Sequence, residues 1–500
     1  MRWSLALAVS LMSPLSACVS DVSFECLNDA PMCDILEVTG DQRRLSSGIE
    51  ITRVAIAQGV HTDLMLDGEP AEPNVPLIAG RDAVVRVFVK PTTDWVPRGV
   101  TGRFLLWQDG QVIGAAQGGM RPSLTSDMES LDSTVNIRVP GSMIPGGDLE
   151  WSVQLLEAPG ADRGRGSSDG AQYPDVDDGG APIEIRDGGE SLRVYLVPIE
   201  WNTDGSGQLP ITNDVAVEAF RTELYKIFPV AEVEIVVADP MPWDQGVNSL
   251  GAWSTLLGAV SELRQERSDI SDDQYIYGVF NPTDSGGAGI AGLSSLGQSA
   301  RDAQSRASIG ISRAAGDGAG TMAHEIGHAH GLRHAPCGGA AGPDPDYPHE
   351  GASIGSYGYD LTEDLLKGPG TYVDLMSYCG PTWVSDFYYR RMFTRQQGIY
   401  EEVLGGNPDA EARTALRPWQ TVWMHEGGRV TKGAPHWLDQ PPMGEPTVVQ
   451  LADGTKVDAV FSPFGHVGGG IVYIPVDEAP SRLSIDGGPL LKPALIRPKR

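Results

Sequence analysis

Eleven consecutive residues, His324-Glu325-Ile326-Gly327-His328-Ala329-His330-Gly331-Leu332-Arg333-His334, carry imidazoles, a carboxylate and a glycine at intervals that suit a hydrolytic metal site. On a helix turning about 100° per residue, His324 and His328 lie one turn apart on one face and can reach the same ion. Glu325 is offset sideways, too far round to be the next ligand but able to contact a water at that ion, which makes it the candidate general base. Glycine tolerates positive φ, so Gly331 can end the helix and let the chain bring His334 back as a third ligand. Three neutral nitrogens would leave a fourth position open for water, the pattern of a catalytic zinc ion rather than a closed structural one. The full spacing arises by chance in roughly one such chain in 10^5, which sets a solvated helix with scattered histidines aside. His330 lies about 240° from His324 on the same wheel and is expected to face away from the metal, in packing or at the surface.

The elements that must position these residues are also readable. Leu192 to Ile199 is an apolar strand; Val217, Phe220, Leu224 and Ile227 recur at helical spacing; Val233 to Val237 follows as a second strand. A further helix is expected around Trp253, Leu256, Leu257, Val260 and Leu263, then a strand at Tyr275 to Phe280. Ser385 or Asp386 can cap a helix reaching about Leu404. Before this region, Ile51 to Ala57, Ala83 to Val89 and Gly102 to Trp107 read as short strands of a β-sandwich, and the Gly, Asp and Pro-rich stretch from Ala158 to Gly180 reads as a boundary. After it, Val448 to Leu451, Val457 to Phe461 and Gly470 to Ile474 read as strands of another β unit, where His425, His436 and His466 occur singly and are taken as solvated or core histidines.

The extended histidine pattern, followed by Asp374-Leu375-Met376-Ser377-Tyr378-Cys379, resembles the metzincin clan of zinc metallopeptidases, with their methionine turn beneath the metal. The stretch Tyr347-Pro348 to Gly358-Tyr359-Asp360 and the run Ser377 to Asp386 further resemble secreted bacterial members related to the mucin-degrading and pappalysin-like branches. The resemblance covers roughly residues 310 to 395. It implies that Met376 forms an apolar floor under the ligands. It also gives Tyr378 two readings, a residue that approaches the zinc and stabilises an oxyanion, or a hydrogen-bonded core tyrosine. The glycine-rich segment Asp284 to Gly292 likewise has two readings, an edge strand that pairs with extended substrate as the resemblance implies, or a flexible loop. The fold implied is an α+β metzincin-type catalytic domain, a mixed twisted sheet with a zinc helix and a C-terminal helix, flanked by all-β sandwich-like domains.

Arg2 precedes a mostly apolar run from Leu5 to Ala17 that ends in Leu15-Ser16-Ala17-Cys18, the pattern of a lipoprotein signal with Cys18 as the lipidated residue. An ordinary signal peptide cut near the same place is the alternative, and both imply export. Setting Cys18 aside leaves Cys26, Cys33, Cys337 and Cys379, an even number suited to an oxidising compartment. Three pairings are open; proximity in the chain favours Cys26 with Cys33, and the second pair, Cys337 with Cys379, flanks the zinc loop and the methionine turn. A latch by Cys33 on the zinc is the other reading, although the residues around a known cysteine switch are missing.

After a signal at 1-17 and a tether at 18-47, the 500 residues suffice for three domains: a β-sandwich-like unit at 48-185, a peptidase unit at 190-405 and a β unit at 406-500. With 37 basic against 66 acidic residues the net charge is −29, which argues against nucleic acid or an anionic membrane surface as partner, leaving membrane contact to a lipid anchor at Cys18. Calcium is compatible with this acidity, but no clean loop motif marks a site. The reading is an exported zinc endopeptidase acting on extracellular proteins or glycoproteins. Two alternatives stand beside it: a surface-anchored glycoprotein- or polysaccharide-binding lipoprotein with a vestigial zinc fold, and a zinc hydrolase of a non-peptide amide.

Overall fold

The computed structural model describes residues 43–158, 164–175, 179–188, 191–283, 289–405, 416–425, 429–450, 456–466 and 468–476. The signal segment, Cys18, Cys26 and Cys33 lie outside the described residues. None of the described helices is long and apolar enough to cross a membrane.

At the centre is a sheet in the order Glu232–Val237, Ser191–Trp201, Tyr275–Phe280, Ala307–Ile311, Gly292–Ser294. The first four strands run parallel and the last is antiparallel, and Met241–Trp243 pairs with the end of Ser191–Trp201. Period-two side-chain alternation gives this sheet two apolar faces, because it is covered on both sides. Leu192, Val194, Leu196, Tyr275 and Tyr277 pack on one side with the helices Asp214–Ile227, Ala319–Ala329 and Asp386–Glu402. Tyr195, Val197, Ile199, Ile276 and Phe280 pack on the other, against the helix Leu250–Glu266. Asn213, Ser249 and Ser385 cap three of these helices by accepting an amide hydrogen bond, which explains why they start where they do.

Two antiparallel-rich sheets precede the central one. The first has the order Glu69–Pro70, His61–Leu66, Ile49–Ala57, Ala83–Pro91, Val135–Val139; the second has Leu77–Ile78, Ala181–Arg186, Gly147–Glu157, Val100–Gln108, Gln111–Met120. They enclose one core around Val54, Val85, Phe104, Ile137 and Trp151. Gln172–Tyr173 and Ala181–Arg186 both pair with Gly147–Glu157, so the stretch expected to be a boundary is a connection inside the second sheet. Its Gly, Asp and Pro content marks a loop, and composition alone does not say whether a loop leaves a sheet or returns to it. These sheets dock on the central body through Trp383, which donates its indole N–H to the Gly59 carbonyl at 2.9 Å, and Tyr389, which donates to that of Gln58 at 2.8 Å.

Residues 417–475 form a five-stranded antiparallel sheet in the order Val430–Leu438, Arg417–His425, Gly469–Pro475, Lys456–Pro463, Glu445–Gln450. Its Trp423, Leu438, Ile471 and Tyr473 enter the same core as Trp253 and Leu256 of the helix Leu250–Glu266. This sheet therefore rides on the central body.

Candidate metal centre

His324, Glu325 and His328 stand on the helix Ala319–Ala329, where the one-turn interval puts both imidazoles on the same side. The helix ends at Gly331, whose φ of 98° is in the left-handed region; a Cβ there would stand 2.6 Å from Nη2 of Arg395. The chain turns at this point and carries His334 back to the other two. Each of the three rings is aimed by the main chain: Nδ1 of His324 donates to the Leu375 carbonyl, that of His328 to Leu332 and that of His334 to Ala341, each at 2.7 Å. A carbonyl only accepts, so these contacts fix the proton on Nδ1 and leave every Nε2 as a lone-pair donor.

Those lone pairs converge. Nε2 of His328 and of His334 are 3.2 Å apart, and Nε2 of His324 is buried without a partner. Two unprotonated nitrogens at that distance repel unless a cation sits between them, and tetrahedral zinc with bonds of about 2.05 Å requires an N···N spacing of about 3.3 Å. Burial pushes His324 down to about 4 and His334 to about 4, and holds His328 well below the usual histidine value. The rings are thus neutral ligands at neutral pH, and the donor set fits zinc.

Met376 packs against the helix that carries His324 and His328. It is fully buried, and a Cβ added to Gly327 would fall 2.6 Å from its sulfur. Its turn is fixed by Asp374, whose two carboxylate oxygens accept from the amides of Met376 at 2.7 Å and Ser385 at 2.9 Å. The Ala335 amide donates to the Met376 carbonyl at 3.0 Å, and the Cys337–Cys379 disulfide joins the same two loops. His330 faces the other way, as expected: its Nε2 meets the Met392 carbonyl at 3.0 Å and its ring stacks on Tyr275.

Glu325 is 2% exposed, with Oε2 unpartnered. It borders a cleft of about 460 Å³ whose other walls include Gly292, Thr321, His324, Tyr378 and Thr382. The strand Gly292–Ser294 is the sheet edge beside it, and a Cβ on Gly292 would come within 2.5 Å of Oε1 of Glu325. The glycine-rich segment thus leads into an edge strand at the site; Asp284 to Ala288 lie outside the described residues. Tyr378 is half-exposed, its ring edge-on to His334 at 4.8 Å, and burial together with Glu325 pushes its hydroxyl up to about 12.

His466 departs from its expected solvated or core role. It stands beside the three imidazoles of the triad, with Nε2 3.2 Å from Oε1 of Glu325 and Nδ1 hydrogen-bonded to the Tyr378 hydroxyl. Burial lowers its pKa and the Glu325 carboxylate outweighs this, leaving it above the ordinary histidine value. No local interval links it to the triad; the only trace is a histidine directly after a glycine in Phe464-Gly465-His466. His425 and His436 are buried at the seam with the central body, on Ser254 and Asp302 respectively, as core histidines.

Residues 244–335 match the family described as metallo-peptidase family M12B, reprolysin-like. This region is that of a metallopeptidase. The match spans the three histidines and Glu325 and stops before the methionine turn. Among solved structures, this chain is similar to metalloproteinase-II from Bacteroides fragilis, at 13% identity over 55% of this chain and 78% of that one, with a TM-score of 0.22. No curated protein matches.

Proposed function

We propose that this protein is a zinc endopeptidase of the metzincin type, with His324, His328 and His334 as ligands, Glu325 as general base and Met376 as the floor. The observation that carries the reading is the convergence of three Nε2 lone pairs whose opposite nitrogens are all tied to main-chain carbonyls. Zinc held there supplies Lewis acidity and brings the pKa of water toward neutrality. Glu325, buried and with one oxygen unpartnered, accepts the proton from the attacking water and passes it to the departing amine. Tyr378, once released from His466, donates a hydrogen bond to the oxygen that gains charge. The edge strand Gly292–Ser294 offers main-chain groups to an extended peptide, which favours an unfolded or loop segment of a protein as substrate.

The same reading includes export with Cys18 as a lipid anchor, the unit boundaries at 48-185, 190-405 and 406-500, and an extracellular protein or glycoprotein as substrate. The test uses the purified full chain. Zinc content near one ion per chain, cleavage of a generic protein blocked by chelator and restored by zinc, and a Glu325→Gln variant that keeps zinc but loses cleavage by a factor of about 10^2 to 10^4 are the expected results. A Glu325→Gln chain with full activity refutes the assignment of the base; metal uptake without turnover of any protein, both in the full chain and in a His466→Ala chain that frees Glu325 from its neighbouring imidazole, favours the binding-protein alternative.

A further inference from the structure

The four imidazoles of His324, His328, His334 and His466 form a nearly regular tetrahedron. Their ring centroids are separated by 4.9, 5.5, 5.1, 4.6, 5.2 and 4.9 Å, so His466 stands about equally far from each of the other three. One nitrogen from each ring lies within 4.8 Å of the others. Tetrahedral four-nitrogen coordination is a closed zinc geometry, whereas hydrolysis needs a position for water. We propose that His466 is a fourth protein ligand of the metal and that the tip Pro463–His466 is a built-in stopper, which keeps the peptidase latent until it withdraws. The proposal rests on the zinc reading above.

Three further observations carry it. His466 shares part of the pattern of the other ligands: Nδ1 is engaged, here by the Tyr378 hydroxyl, which unlike a carbonyl can donate as well as accept, while Nε2 is buried and lacks an aligned hydrogen-bond partner despite its nearness to Glu325. Its ring also stacks on Tyr378 at 5.5 Å, so both the proposed base and the proposed oxyanion donor are engaged by one side chain. Next, the backbone of the tip is wedged against the ligands. A Cβ on Gly465 would stand 2.9 Å from Cε1 of His334 and 3.2 Å from Nε2 of His328, leaving no room for a substrate carbonyl. Finally, the tip is anchored. Phe464 is buried beside Trp423 in the core shared with the helix Leu250–Glu266, and its amide donates to the Gly469 carbonyl across the turn. The sheet that carries the tip is itself pinned to the central body by the buried pair His436–Asp302 at 2.9 Å and by Ser254 with His425 at 2.5 Å.

The full chain loaded with zinc, and separately with cobalt(II), provides the test. X-ray absorption of the zinc-loaded wild-type chain is expected to count four imidazoles, and the visible spectrum of the cobalt-loaded chain to be unmoved by azide. His466→Ala should make that spectrum respond to azide and raise peptide hydrolysis by roughly tenfold or more, because a site whose competent state is sparsely populated is slowed by that fraction. Three imidazoles plus oxygen in the wild-type chain, an azide response equal in both chains, or hydrolysis lost in His466→Ala each overturns the proposal. Absence of metal uptake by the wild-type chain, or uptake unchanged in a His328→Ala, His334→Ala double variant, instead overturns the underlying zinc reading. The wild-type absorption measurement needs no variant to fold.

Discussion

Two glycines of one helix should respond oppositely to the same substitution. Gly320 and Gly327 both lie in Ala319–Ala329; a Cβ on Gly320 meets nothing within 4 Å, whereas one on Gly327 falls 2.6 Å from the Met376 sulfur and 3.4 Å from its methyl carbon. Alanine at Gly320 gains helix propensity and should stabilise by about 0.5 kcal/mol, at the low end because it sits in the first turn. At Gly327 the same gain is opposed by an overlap of about 1.2 Å with an ordinary carbon–sulfur contact of about 3.8 Å. Met376 cannot shift as a unit, since Asp374 holds its amide and Ala335 its carbonyl, so its side chain must leave a packed rotamer at a cost of about 1–3 kcal/mol. The net loss for Gly327→Ala is about 1–2 kcal/mol, and the two variants should differ by about 2 kcal/mol. Urea titration of the transition that shifts on chelation measures this, with zinc affinity from chelator competition as the second readout. Met376→Ala in the Gly327→Ala background should recover part of the loss as a positive coupling in a double-mutant cycle. Equal stabilisation by both alanines, with unchanged zinc affinity, refutes the idea that Met376 is a rigid floor.

Opening the Cys337–Cys379 bridge frees a loop spanning 42 residues and should cost up to about 4 kcal/mol on the chain-entropy estimate; denaturation of a Cys337→Ala, Cys379→Ala chain reads it, and an unchanged midpoint rejects the estimate. Gly292→Ala should push the Glu325 carboxylate aside and lower kcat about a hundredfold with zinc content intact, because a shift of about 1 Å in a reacting group has effects of that size; retained kcat would show that the base has room to move. His425 is pushed down to about 4 by burial, so between that value and the ordinary 6.5 the unfolded chain binds the extra proton. Its contribution to stability is present above pH 6.5 and is lost as pH falls toward 4; His425→Gln should flatten that part of the pH profile of the urea midpoint, and an identical profile in both chains contradicts it.

The triad was legible because its information is local: intervals of four and six residues plus one glycine define a helix face and a turn, whatever surrounds them. Strands such as Tyr275–Phe280 and helices such as Asp386–Glu402 were legible for the same reason, through apolar runs, spacing and a capping serine. Arg417–His425 and Val430–Leu438 were not, since Pro418, Pro435 and Gly433 interrupt their alternation and pairing alone makes them strands. His466 was invisible for a deeper reason. Its place depends on how a whole sheet seats on the helix Leu250–Glu266, and no interval along the chain records that docking.

The carbonyls of Leu332, Ala341 and Leu375 aim the three ligand rings, and a carbonyl belongs to every amino acid. Side chains at those positions can drift through evolution without disturbing the imidazoles' orientation. Fragility is transferred instead to whatever sets the path of the backbone, so damaging changes near this centre should cluster at glycines and at the cysteine bridge rather than at the positions that touch the histidines.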